Sequence, residues 1–218
     1  MIPLQFALRR RMMMAGGGGG APISDLPLGT LINVGTDGGW GTPNYEIADK
    51  DNLVSGGVVL VRKQTYSQSE FGSGAYYPDS TLDNLIKTTI YNKMPQKLRD
   101  KMMNVSFNLY GSGNITRKMF APTYTMAGFG NNNGVAEGKA LQYYTNDDRR
   151  IKDGWASYWW LSSLNNSSSG FVWCVYVTGV VDYNSSTFPN NVVPAFVIPS
   201  KTPYDPAPNT DGSYNLIL

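Results

Sequence analysis

Hydrophobic positions along this chain come in short runs, cut by clusters of Gly, Pro, Asn and Ser, which predicts many short strands and few helices. Gly57–Arg62 (GVVLVR) is continuously apolar up to its last residue and predicts a strand buried on both faces. Leu26–Gly35 and Asn44–Asp51 read as two further strands, with Gly38-Gly39-Trp40-Gly41-Thr42-Pro43 as the turn between them. Lys63 to Tyr77 is polar and aromatic and reads as loop. Ser80 then opens the best helix: its hydroxyl can cap the N-terminus, Asp83 stands where a capping box needs it, and Leu82, Leu85, Ile86 and Ile90 form a stripe. Pro95 suits the first turn of a second helix, Gln96–Met103. Val105–Leu109 and Arg117–Ala121 predict strands, and Thr123 to Asp148 is loop-rich around GFGNNNG. In Phe171–Thr178 the period-two alternation puts Phe171, Trp173, Val175 and Val177 on one face and Cys174, Tyr176 and Thr178 on the other. Bulk assigns the first set to the core. Val192–Ile198 predicts the last strand, at an edge or bulge because of Pro194, and the tail from Pro199 packs along the surface.

The stretch from Trp155 to Ile198 stands out chemically. It holds Trp155, Trp159, Trp160 and Trp173, four of the five tryptophans, with no Lys or Arg and one carboxylate, Asp182. Asn/Ser clusters separate its aromatics, and such clusters make turns because both side chains hydrogen-bond nearby backbone. The expected picture is aromatic-anchored strands carrying uncharged loops. Tyr offers large contact area at low entropic cost while Asn and Ser offer adaptable hydrogen bonds. The candidate ligand-binding residues are therefore Tyr158, Asn165, Asn166, Ser168, Tyr176, Tyr183, Asn184, Asn190 and Asn191, with the tryptophans assigned mainly to the core.

Composition removes several reaction classes. The 218 residues include no His and one Cys, so no Ser-His-Asp or Cys-His pair can form within one chain, nor a His-based zinc site. Cys174 reads as a buried thiol. Glu137, Asp147, Asp148 and Asp153 match no calcium loop, and GFGNNNG has no following Lys to cradle phosphate. Asp182 alone in the aromatic stretch does not supply the two carboxylates of a glycosidase. No catalytic residue, metal or cofactor is expected. A net charge of +2 argues against nucleic acid, and no apolar run is long enough for membrane insertion.

Residues 1–22 (MIPLQFALRRRMMMAGGGGGAP) read as a separate unit. Arginines follow the short apolar segment instead of preceding it, the reverse of a secretory signal, and Gly16–Gly20 form a flexible tether. The segment is read as a docking arm in which Leu4, Phe6 and Leu8 insert into a partner and Arg9, Arg10 and Arg11 pair with its carboxylates. Residues 23–218 form the domain.

Taken in order, Tyr77–Tyr91 (YPDSTLDNLIKTTIY), Gly134–Arg150, Tyr158–Ser163 (YWWLSS), Val175–Gly179 (VYVTG) and Val192–Ile198 (VVPAFVI) resemble a bacterial and phage domain family of largely unknown function. That family closes with WWLRSP and GVRPAF-type segments; Ser162 and Val193 here replace its two arginines. The resemblance implies an α+β, C-type-lectin-like fold related to formylglycine-generating enzymes: small irregular antiparallel sheets, two helices and long loops. Those enzymes use a cysteine pair that this chain lacks. Openings similar to LRRRMMM occur on phage tail and fibre proteins. Together these imply a virion-associated receptor-binding protein, its arm held by other virion proteins and its loops meeting a bacterial surface glycan or protein. Binding is expected to be calcium-independent, because Phe188-Pro189-Asn190-Asn191 lacks the carboxylate a lectin calcium site needs. A homo-oligomer, by analogy a trimer, is expected. The alternative is a structural decoration protein with no specific ligand. Asn-rich loops beside fixed aromatics would also suit adenine-directed diversification of the Asn165–Asn191 coding region.

Overall fold

The computed structural model of the chain describes residues 20–74, 76–153, 158–166 and 170–218. The arm residues Leu4, Phe6, Leu8, Arg9, Arg10 and Arg11, together with Trp155 and Ser168, lie outside the described residues. The architecture is mixed α+β, built on small sheets packed around one continuous apolar core.

The larger sheet has the order β15-β2-β3-β4-β13-β8. Its centre is β4 (Gly57–Arg62), every residue of which is buried, between β3 (Asn44–Lys50) and β13 (Ala195–Pro199). Both faces of β4 are covered, so only apolar residues fit until the chain reaches Arg62. That guanidinium is buried too, and its donors are taken by Asp37 (Nε–Oδ2 2.6 Å) and by the carbonyls of Gln64, Thr65 and Trp40 at 2.7–2.8 Å. Tyr45, opposite Arg62 on β3, donates its hydroxyl to the same Asp37 carboxylate at 3.0 Å. β2 (Leu31–Asn33), β15 (Tyr214–Asn215) and β8 (Met119–Phe120) complete the sheet. Of Leu26–Gly35 only Leu31–Asn33 is strand, and Val192–Ile198 becomes strand only from Ala195. β13 lies inside the sheet, with Pro194 just before it, where the proline's missing N–H costs no ladder bond and its carbonyl accepts from Arg62 N.

Ser80 caps the helix as expected, its Oγ accepting from Asp83 N at 3.0 Å. The Asp83 carboxylate reaches one residue further back than a capping box requires, accepting from Asp79 N, and it takes both guanidinium branches of Arg117 at 2.9 and 2.7 Å. The helix runs as α1 (Thr81–Asn84), a π-helical stretch Leu85–Ile90 and α2 (Tyr91–Lys93); α3 (Gln96–Lys101) is a separate six-residue turn with Pro95 as its N-cap. Arg117–Ala121 divides: β6 (Val105–Leu109) pairs with β7 (Gly113–Arg117) as a hairpin, and Met119–Phe120 joins the large sheet. The tail is stitched down. β14 (Pro203–Tyr204) pairs with β1 (Ala21–Pro22), so the last two residues of the expected arm already belong to the domain.

The second sheet carries the aromatic stretch in the order β11-β10-β9-β12-β5: β11 (Val181–Ser185), β10 (Phe171–Val175), β9 (Trp159–Leu164), β12 (Asn190–Asn191) and β5 (Gln68–Ser69). The expected Lys63–Tyr77 loop therefore donates a short strand. Trp159 and Trp160 are fully buried, and each indole N–H finds a carbonyl, Arg150 O at 3.2 Å and Ser69 O at 2.8 Å. Trp160 packs edge-on against Phe71 at 5.7 Å, which locks this sheet to the segment leading into the helix.

Candidate recognition face

The assignment made on bulk holds for Val175, which is buried, and for Tyr176 and Thr178, which are exposed, but it fails in the first four residues of β10. Val172 and Cys174 are fully buried, whereas Phe171 and Trp173 are only half-buried and look outward. The reason lies one strand away: Trp159 and Trp160 already fill the interior, and the ladder to β9 shifts register between Val172 and Cys174. Only small side chains fit on the inner face of β10. The large ones are displaced to the surface.

There they join rings from elsewhere. Tyr183, directly opposite Trp173 on β11, is 50% exposed and meets Trp173 and Phe171 edge-on at 6.1 and 5.6 Å. On its other side Trp173 contacts Tyr124 at 5.0 Å, and Tyr124 contacts Phe129 at 5.4 Å. Phe171, Tyr183, Trp173, Tyr124 and Phe129 thus form one unbroken stripe of partly exposed rings. The buried Arg150 guanidinium closes its far end, 4.3 Å from the Phe129 ring centroid.

A buried polar network fixes the middle of the stripe. The Trp173 indole donates to Asn132 Oδ1 at 3.1 Å, and the Asn132 amide donates to Glu137 Oε1 at 3.0 Å and to Leu164 O at 3.0 Å. Glu137 is wholly buried and also accepts from Tyr110 N at 2.9 Å and from the Ser163 hydroxyl. Burial pushes its carboxyl above the usual range, while the Ser163, Tyr110 and Asn132 hydrogen bonds pull it back in part. The GFGNNNG loop is thus a bracket: Asn132 sits between a buried carboxylate and a surface indole.

β11 is the sheet's edge, and the backbone there is screened. Its alternation with β10 turns the Tyr183 and Ser185 amides outward. Each is covered by the side chain before it, Tyr183 N donating to Asp182 Oδ1 at 2.8 Å and Ser185 N to Asn184 Oδ1 at 2.9 Å. Strand-edge donors that invite another chain are thereby occupied. The hairpin tip is pinned as well. Gly179, at φ +85°, lies so close to Asp147 that a Cβ would stand 1.9 Å from its carbonyl oxygen.

The sequence-derived candidates scatter around this stripe. Tyr176 and Tyr183 are exposed, Asn166 is exposed, and Tyr158 and Asn184 are partly exposed. Tyr158 packs on Tyr176 at 4.9 Å, at the edge where Asp182 emerges. Asn165, Asn190 and Asn191 are buried, the last two because β12 is an interior strand of the sheet, so they hold the loops from within instead of facing outward. Phe171, Trp173, Tyr124, Phe129 and Asp182 were not among the candidates. Period two allowed either face of β10 to point out; the adjacent pair Trp159-Trp160 was the one signal that the core was already full.

Residues 55–200, which hold the whole stripe, match a protein family described as a domain of unknown function (DUF6273). The chain belongs to that family. No curated protein and no solved structure matches it. Among the described residues of this DUF6273 domain, no group of three or more His, Cys, Asp or Glu is placed to hold a metal ion, and no helix is long and apolar enough to cross a membrane.

Proposed function

We propose that this DUF6273 domain is a recognition module, binding a bacterial surface glycan or protein through the ring stripe without calcium. The single observation that carries the reading is the continuous run of partly exposed rings from Phe171 to Phe129, most of it drawn from a stretch, Tyr158 to Ile198, that holds no Lys or Arg. A monomeric protein gains nothing by leaving Trp173 and Tyr183 at its surface, and Tyr and Trp anchors dominate binding energy where they are used. The Ser185 hydroxyl, opposite Phe171 in the ladder and hydrogen-bonded to the Thr187 hydroxyl, borders the stripe and would set orientation. In this reading the fold is C-type-lectin-like, a scaffold whose irregular loops serve display. The arm, which gives way to the domain at Ala21–Pro22, fastens the domain to a phage particle, and copies assemble as a homo-oligomer, by analogy a trimer.

The test is competition. Full-length protein added to host cells is expected to block particle adsorption, equally well in excess chelator. A Phe171→Ala/Tyr183→Ala double variant is expected to bind at least tenfold more weakly, by the rule that loss of a well-packed aromatic anchor costs about 2 kcal/mol or more. Wild-type competition by that folded variant would refute the stripe as the contact surface. Loss of competition in chelator would refute calcium independence.

A further inference from the structure

The opposite face of the β10–β11 hairpin carries a second constellation. Tyr158 and Tyr176 pack ring against ring, 4.9 Å between centroids at 44°, with Tyr176 38% exposed. Beside them stands Asp182, paired in register with the buried Cys174. Burial, then the Asp182 charge, raises the pKa of the Tyr158 hydroxyl. No Lys or Arg forms an ion pair with Asp182 among the described residues. Asp182 is the one charged side chain between Tyr158 and Ile198.

We propose that Tyr158, Tyr176 and Asp182 form a subsite for a quaternary ammonium group, of the kind found in choline. A carboxylate without a basic partner, flanked by electron-rich rings, is complementary to a positive charge; the negative ring face attracts it and Asp182 supplies the counter-charge. A neutral sugar hydroxyl would be served equally by an amide and gives no use for the charge. A primary ammonium fits less well. It brings three N–H donors, while Asp182 Oδ1 already accepts from Tyr183 N, which leaves Oδ2 as the remaining carboxylate oxygen for them. The ring faces offer no lone pairs in their place. A quaternary ammonium needs contact and charge alone. The subsite lies on the other side of β10 and β11 from the ring stripe and stands independently of it.

The experiment uses the full-length chain with 13C-labelled tyrosine and follows ring signals by NMR. The probes are tetramethylammonium, methylammonium, and 3,3-dimethylbutanol as the uncharged counterpart of choline. Tetramethylammonium is expected to shift the Tyr158 and Tyr176 signals saturably, with affinity about tenfold weaker in Asp182→Asn and weaker again in Tyr176→Leu. Signals from Tyr124 and Tyr183 are expected to stay put. The proposal is overturned if tetramethylammonium shifts nothing, if 3,3-dimethylbutanol or methylammonium binds as tightly, or if Asp182→Asn leaves the affinity unchanged. The comparison of three probes on the wild-type protein stands even if a variant fails to fold. Receptor binding through the stripe is read separately by competition, so either idea can fail alone.

Discussion

Replacing Glu137 by Leu is expected to be among the most costly single substitutions in this domain. The carboxylate is fully buried and accepts from three donors: the Tyr110 amide, the Asn132 side chain and the Ser163 hydroxyl. Leucine fills the space but leaves all three facing nothing. A buried donor stripped of its partner costs about 1–3 kcal/mol, so three should cost about 3–9 kcal/mol, and even the lower end lowers Tm by roughly 6–12 °C for a chain of this size. Glu137→Gln keeps one acceptor oxygen, and its amide can donate to Ser163, whose hydroxyl has a free lone pair; its cost should stay near 1–2 kcal/mol. The two variants also separate the effect of charge. Burial raises the folded-state pKa of Glu137, so the native protein holds this proton more tightly than the unfolded chain. Wild-type stability relative to Glu137→Gln should therefore fall as pH rises from the ordinary carboxylate range through the raised value, and level off above it. Urea unfolding of the three proteins from pH 4 to 8 measures both quantities. A Glu137→Leu loss under about 1 kcal/mol, or a difference between wild type and Gln that grows with pH, would refute the bracket described here.

Two further outcomes follow from the same kind of accounting. Arg62→Met strands Asp37 in the interior without its partner and should cost about 3–5 kcal/mol in urea unfolding, with Asp37→Leu in the same chain recovering part of the loss; a cost below 1 kcal/mol would mean the pair is solvated. Asp182→Ala with Asn184→Ala uncovers the Tyr183 and Ser185 amides, and light scattering is expected to show concentration-dependent self-association beyond that of wild type; unchanged mass up to millimolar concentration would show that the two side chains do not protect the edge.

Where local chemistry decides, the chain could be read directly. Gly57–Arg62 is apolar because both of its faces are covered, and Ser80 caps because its hydroxyl meets an orphan N–H three residues on. Where the outcome depends on what other segments have already filled, it could not. Phe171 and Trp173 have the bulk and apolarity of core residues, and nothing within β10 says that Trp159 and Trp160 occupy that space first. Asn190-Asn191 has the composition of a turn, yet its pairing with Gln68–Ser69, far away in sequence, makes it an interior strand. Pro194 pointed to an edge or a bulge, whereas β13 lies inside the sheet without either and simply begins after the proline, at Ala195. The stripe was illegible for the same reason: its rings come from the Tyr124–Phe129 segment, β10 and β11, and only tertiary packing makes them neighbours.

The screened edge of β11 has a consequence for crowding. Wherever many copies are held side by side, bare strand margins would zip together and bury their aromatic faces in one another. Because one oxygen each of Asp182 and Asn184 covers the outward amides of Tyr183 and Ser185, neighbours find two fewer donors to pair with, which favours keeping the rings of each copy available at high local density.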